Sequence, residues 1–282
     1  MQQLHFFTGK GGTGKTTNAI LFALKNARIK NSLLCSLDPA HNIYDILDIK
    51  SDDYLAKFIP GLQVMEPSIN EMLKDYLSDV ENDLMSAHGY LSSFNLLNNF
   101  NIIKYSPGIE EYAIFHTFKN ILNNYQNNTE IIIMDMPPTA LSLRFFSLAK
   151  LSILWLEKLI ELRQKIILKK EYLNKIQKKT NTDDKIILNL LNQKESYKKI
   201  LKSLQESKIH IVLNPEPVSI SESLKFLREL ESLGYRNFDI FLNKSDDSLS
   251  ESFLSLEKKY PVIRVPKIEK PVGLENLLLH LS

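Results

Sequence analysis

This chain of 282 residues reads as an α/β protein, a mostly parallel sheet flanked by helices with a helical subdomain inserted between strands. Three observations support that reading. Short apolar strand candidates alternate with helix-like segments whose apolar residues recur every three or four positions, the rhythm of a parallel sheet covered on both faces. A cluster of glycines lies directly between the first strand candidate and the first helix candidate. The stretch from Leu141 to about Leu204 contains neither glycine nor proline and is too long for a simple crossover.

The strand candidates are residues 4–7, 33–36, 131–135, 210–213, 238–242 and 262–265, and the clearest helices are Lys15–Asn26, 220–233 and 274–281. Two longer segments, about 68–100 and 141–205, break the alternation and are expected to form the helical subdomain within a single domain spanning 1–282. With 44% hydrophobic and 24% charged residues the composition is that of an ordinary globular protein. A net charge of +2 gives no field suited to nucleic acid. No unbroken apolar run approaches the ~20 residues of a membrane span, so no transmembrane segment is expected. The first strand begins too early to leave room for a signal peptide, and a cytoplasmic location is expected. The single cysteine, Cys35, excludes an intramolecular disulfide and any all-cysteine metal cage, and it is expected to be buried and inert. Met72, Met85 and Trp155 are expected in the core, and the histidines have no partners at metal-ligand spacing.

Of nine glycines in the chain, Gly9, Gly11, Gly12 and Gly14 fall together. The run Gly9-Lys10-Gly11-Gly12-Thr13-Gly14-Lys15-Thr16-Thr17 fits G-x-x-x-x-G-K-[ST] between a strand and a helix. That context is what a phosphate loop needs, because backbone N–H groups must converge on phosphate oxygens at a helix N-terminus. Lys15 is placed to reach the β- and γ-phosphates of ATP, and the Thr16 hydroxyl to ligate Mg²⁺. The strand at 131–135 ends on Asp135, the position from which an aspartate holds Mg²⁺ through a water. The fold expected is therefore a P-loop NTPase.

The placement of Lys10 in Lys-Gly-Gly-Thr-Gly-Lys-Thr resembles the deviant Walker A motif of the arsenite-pump and tail-anchored-protein-targeting ATPase family. The resemblance implies a homodimer in which Lys10 reaches across the interface to the partner's nucleotide. Leu37-Asp38-Pro39-Ala40-His41-Asn42 is similar to that family's switch I, which implies that Asp38 orients or deprotonates the attacking water. Read without the family, Asp38 could equally cap a helix with Pro39 at its first position. Met136-Pro137-Pro138-Thr139-Ala140-Leu141-Ser142-Leu143-Arg144 resembles switch II, with Ala140 where relatives often have glycine and Leu141 where they have histidine. Asn243 and Pro266 stand where relatives build the adenine pocket, although Asn243 also suits a plain turn. Asn214-Pro215-Glu216-Pro217 extends the resemblance.

The family implies one of three roles. A targeting or chaperone-like ATPase would close on ATP and present a hydrophobic surface to a client helix or membrane-protein partner. Leu151, Leu154, Trp155, Leu159, Leu162 and Ile166 offer such a stripe, and a core-facing stripe has the same spacing. An oxyanion efflux subunit with an arsenite site needs soft cysteine ligands, and a targeting member usually carries a zinc-binding C-x-x-C; neither zinc nor arsenite site is expected here. A partitioning-type nucleotide switch is the third. The first is the expectation taken forward.

Overall fold

The computed structural model describes residues 2–40, 43–49, 52–87, 106–125, 127–177, 184–245, 251–269 and 271–280. Its strands are β1 (Gln3–Thr8), β2 (Ser32–Ser36), β3 (Leu62–Met65), β4 (Ile131–Asp135), β5 (Lys208–Leu213), β6 (Phe238–Asn243) and β7 (Val262–Val265). They pair parallel throughout in the order β3-β2-β4-β1-β5-β6-β7. The helices are α1 (Lys15–Asn26), α2 (Ile43–Leu47), α3 (Asp52–Phe58), α4 (Ile69–Ala87), α5 (Ile109–Asn124), α6 (Thr139–Gln177), α7 (Lys185–Glu206), α8 (Pro217–Leu233), α9 (Glu251–Lys259) and α10 (Leu274–Leu279).

Both faces of the sheet are covered, so the central strands read as continuous apolar runs; every residue of β2 and β4 is buried. The pleat sends neighbours to opposite sides. Phe6 packs with Phe118, Phe145 and Phe146 under α5 and α6, and Phe7 packs with Phe22 and Phe241 under α1. Helices α1, α2, α3 and α10 contribute to the second core, whereas α4 through α9 contribute to the first. The six expected strands and the helix Lys15–Asn26 are all present. Helix α8 starts earlier than expected because Pro217 occupies a first-turn position where its missing N–H costs nothing. The edge strand β3 and helix α5 were not expected.

The inserted helical subdomain is built around α5, α6 and α7. Helices α6 and α7 run antiparallel, since Arg163 pairs with Asp184 at the near end and Glu157 with Lys194 farther along. Asp184 also caps α7, its carboxylate accepting from the N–H groups of Ile186 and Ile187. Met72 is buried as expected, and so is Cys35. Trp155 is a correction: it is 69% exposed, not in the core. The side chain of Met85 lies outside the described residues. One described helix is of membrane length. Within Thr139–Lys169 of α6, a window of 18 residues has mean hydropathy 1.3, so by length and composition alone the helix could cross a bilayer. Interleaved polar residues hide this from a search for unbroken runs. One third (33%) of that apolar window is buried inside the fold.

One polar pair sits within the α1 face. His5 Nδ1 and His210 Nε2 share a hydrogen bond of 2.9 Å on neighbouring strands, against Phe7 and Phe22. Asp239 Oδ2 lies 3.6 Å from His210 Nδ1, and Lys208 bonds to the other oxygen of Asp239 at 2.8 Å. Burial, reinforced by Lys208, holds His5 down at about 4; burial and the His5 ring hold His210 lower still. Both rings are therefore neutral when folded and take up protons on unfolding below their ordinary value of about 6.5. The stabilisation is complete above that value and is lost as pH falls from it toward the folded values, by about 1.4 kcal/mol per pH unit for each proton. Thermal unfolding should show a midpoint that drops from pH 7 to pH 5. His5→Gln should flatten that drop, and a variant profile parallel to the wild type would show that the pair does not control it.

Candidate functional site

The loop between β1 and α1 lies at the C-terminal edge of the sheet, where β1 is flanked by β4 and β5; this is the edge at which parallel α/β sheets place ligands. Its glycines are dictated by space. At Gly9, with φ of 156°, an added Cβ would lie 2.2 Å from the Val212 carbonyl oxygen; at Gly14, with φ of 88°, it would lie 2.3 Å from Asn243 Nδ2. The loop is braced from within and from outside. Thr13 Oγ1 donates to the Lys10 carbonyl at 2.8 Å, Asn18 Nδ2 to Gly14 at 2.8 Å, and Asn243 Nδ2 to Thr13 at 2.8 Å. Helix α1 then starts with no acidic residue in its first turn, which leaves its N-terminal amides and dipole suited to an anion. Thr17 lies half-buried in the same turn.

Lys15 is buried, with its side chain 7% exposed and Nζ 4.0 Å from Asp38 Oδ2. Thr16 Oγ1 donates to Asp135 Oδ2 at 2.8 Å. The other oxygen of Asp135 is buried without a hydrogen-bond partner. Burial pushes the Asp135 carboxyl up to about 7, with Asp38 and Glu66 adding to the rise; Thr16 and Lys15 oppose it. Sequence positions more than a hundred residues apart thus meet because β4 pairs directly with β1.

Asp38 follows β2. Its N–H donates to Ser36 Oγ at 3.3 Å, and its Oδ1 accepts from the Ala40 N–H at 3.1 Å. Pro39 and Ala40 lie in a turn, not a helix, so Asp38 closes a local turn and is not a helix cap. His41, Asn42 and Asp246 lie outside the described residues. Ala140, which stands where relatives often have glycine, lies in the first turn of α6, a setting that favours alanine. Pro266 follows β7, and Val265 pairs in register with Asn243, so both expected adenine-pocket positions lie on this edge.

Lys10 departs from the rest of the loop. Its ammonium turns outward to Glu222 of α8, 3.2 Å from either carboxylate oxygen, and its side chain is 42% exposed. Glu222 was not anticipated, and neither were Ser36 and Glu66, whose side chain bonds the start of α2. None has a local signal, because each meets the site through strand pairing or helix packing. Asn18, four residues after Gly14 on one helix face, could have been found from its spacing.

A buried lysine at a glycine-lined helix start, beside a threonine bonded to a buried strand-end aspartate, makes this chain a P-loop nucleoside triphosphatase of the deviant Walker A class. More narrowly, it belongs to the anion-transporting ATPase family, whose profile matches residues 2–269, and it is an ATPase of that family. It is similar to "Putative arsenical pump-driving ATPase 2" of Aquifex aeolicus (strain VF5), with 29% identity over 268 residues, 92% of this chain and 87% of the relative. It is also similar to "Putative arsenical pump-driving ATPase 1" of the same organism, at 27% over 310 residues, 96% and 76% of the two chains. The "ATPase ASNA1 homolog" of Entamoeba histolytica is 36% identical over 165 residues, 56% of this chain and 49% of the relative.

The loop's geometry separates two of its glycines. Gly9→Ala should abolish ATP binding and lower the melting temperature, because its Cβ meets backbone. Gly11→Ala should melt as the wild type does, since a Cβ there meets nothing within 4 Å. Equal melting of the two variants would show that the loop is not held this tightly.

Proposed function

We propose that this ATPase works as a homodimeric, cytoplasmic, nucleotide-driven clamp. ATP sits on the loop from Gly9 to Thr17, and dimer closure presents a hydrophobic surface to a client helix or membrane-protein partner. The observation that carries the client part is the stripe on α6. Leu151, Leu154, Trp155, Leu159, Leu162 and Ile166 are all exposed, at 37% to 69%, while Leu156 and Ile160 on the opposite face are buried. The sixteen residues from Leu151 to Ile166 give the stripe a length of roughly 24 Å, enough to receive an apolar helix of similar length.

The residues fit magnesium. Thr16 and Asp135 are already joined, and the unpartnered oxygen of Asp135 is an acceptor for a metal-bound water. Magnesium bound there supplies positive charge against the β- and γ-phosphate oxygens. Lys15 holds the same oxygens from the buried side, and Asp38, beside it, accepts hydrogen bonds from the attacking water and aims its lone pair at phosphorus. In this reading Asn243 and Pro266 flank the adenine. Lys10 acts in trans, a reading supported by its ammonium, which turns away from its own loop to the surface beside Glu222.

An arsenite-activated reading fits the residues poorly. Cys35 is the single cysteine, it is buried on β2, and burial pushes its thiol far up, away from the thiolate a soft ion needs.

In ATPase assays, Asp38→Asn should bind ATP normally and lose hydrolysis by at least ~100-fold. Wild-type turnover per subunit should rise with protein concentration through the dimerisation range. A rate constant that stays flat from demonstrable monomer to dimer removes Lys10 from its role, and full turnover by Asp38→Asn removes Asp38 from its own.

Trp155 is the chain's single tryptophan, so its fluorescence reports the stripe alone. With Asp38→Asn held in Mg-ATP, titration with an apolar helical peptide should shift its emission to the blue, and a polar helical peptide should not. Unchanged emission at saturating apolar peptide overturns the client surface.

A further inference from the structure

Glu66 immediately follows β3, and the register Cys35↔Met65 sets it beside Ser36, just ahead of Asp38 on the neighbouring strand. Its two carboxylate oxygens are both engaged with the start of α2: Oε1 accepts from the Ile43 N–H at 3.2 Å and Oε2 from the Tyr44 N–H at 3.2 Å. Those are orphan donors of a helix N-terminus, which a carboxylate satisfies with charge-assisted bonds. Tyr44 Oη reaches the Val64 carbonyl at 3.4 Å, so the same short helix is tied to β3 twice. At its other end the Ile46 carbonyl accepts from the Gly273 N–H at 2.8 Å, and Ile43 and Leu47 are buried.

The segment carrying Asp38 therefore runs between two fixed points. It leaves β2 at Ser36, whose hydroxyl accepts the Asp38 N–H, and it ends at Ile43, held by Glu66. Six residues, 37–42, join the two points, so the position of Ile43 bounds the reach of Asp38 through the covalent chain.

We infer that Glu66 is a positioning residue for ATP hydrolysis: by clamping the first N–H groups of α2 it sets the reach of the Asp38 loop toward the phosphates. The inference rests on the role proposed above for Asp38. Glutamine at position 66 keeps the size but replaces one acceptor oxygen by an NH₂ group that faces an N–H donor. Aspartate keeps the charge and withdraws it by one methylene.

The test is steady-state turnover beside calorimetric ATP affinity, alone and in the Asp38→Asn background. Glu66→Gln should lose on the order of ten- to a hundredfold in kcat, the scale of a catalytic group misplaced by about an ångström, with ATP affinity held within about twofold. Glu66→Asp should fall between it and the wild type. The double variant Glu66→Gln/Asp38→Asn should turn over no more slowly than Asp38→Asn alone, because Glu66 acts through Asp38. Wild-type turnover by Glu66→Gln overturns the inference, as does a loss that multiplies on top of that of Asp38→Asn. So does a loss reversed by raising Mg²⁺, which would put Glu66 on the metal. If Glu66→Gln does not fold, Glu66→Asp decides, and wild-type turnover there overturns the inference. Full turnover by Asp38→Asn itself is a separate outcome, and it removes the role of Asp38 first.

Discussion

The carboxylate of Asp135 is buried at the end of β4 with one oxygen bonded by Thr16 and the other unpartnered, and that arrangement constrains what surrounds it. Desolvating a carboxylate charge costs several kcal/mol, more than the Thr16 hydrogen bond and Lys15 offset, and the group therefore holds its proton to about neutrality. The same residue also organises the backbone. Its carbonyl accepts from the Leu37 N–H at 2.8 Å, and the next residue, Met136, donates to the Phe7 carbonyl at 2.9 Å. The loop after β1, the loop after β2 and the loop after β4 are thus pinned to one point. Placing β4 between β2 and β1 makes this possible, because Ser36 and Phe7 both stand in register with Asp135.

What could be read from sequence and what could not divide along a physical line. The glycine loop was legible because its determinants are local: left-handed backbone, a strand before and an amphipathic helix after. Strand β4 was legible because four consecutive buried apolar residues precede an aspartate. Strand β3 was missed because its four residues, Leu62–Met65, sit on an edge and bury only alternate positions, too short a pattern to stand out. The spacing of the α6 stripe could not distinguish exposure from burial, since a helix has a single periodicity for both; only the packing of Leu156 and Ile160 against the fold decides it. Trp155 went wrong for the same reason. Glu66 and Glu222 were invisible because their partners come from strand register and helix docking, neither of which has a signature in a single chain.

Helix α6 joins the two halves of the proposal physically. It begins at Thr139, four positions after Asp135, and Ser142 Oγ locks its first turn to the Pro137 carbonyl. Arg144 then pairs with the nearly buried carboxylate of Glu111 on α5, so the start of the helix is tied to the subdomain as well as to the loop. Phe145, Phe146, Leu148 and Ala149 are packed into the core beneath it, and such packing resists sliding. A small change at residues 136–138 therefore favours a tilt of the helix about that packed segment over translation.

Beyond the core the helix is a lever. From Phe146 to Ile166 is roughly 30 Å of helix, so a tilt of about 6° displaces the far end of the stripe by about 3 Å. That is more than half the diameter of a methyl-bearing side chain, and the antiparallel α7, joined by Arg163–Asp184 and Glu157–Lys194, must move with it. One face of the helix from Leu151 to Ile166 meets solvent, whereas Leu156 and Ile160 on the other face are buried, so a tilt has to carry α7 with it or repack those two side chains. A helix rooted beside the phosphate loop and carrying an exposed apolar stripe from Leu151 to Ile166 joins the two sites in one continuous element.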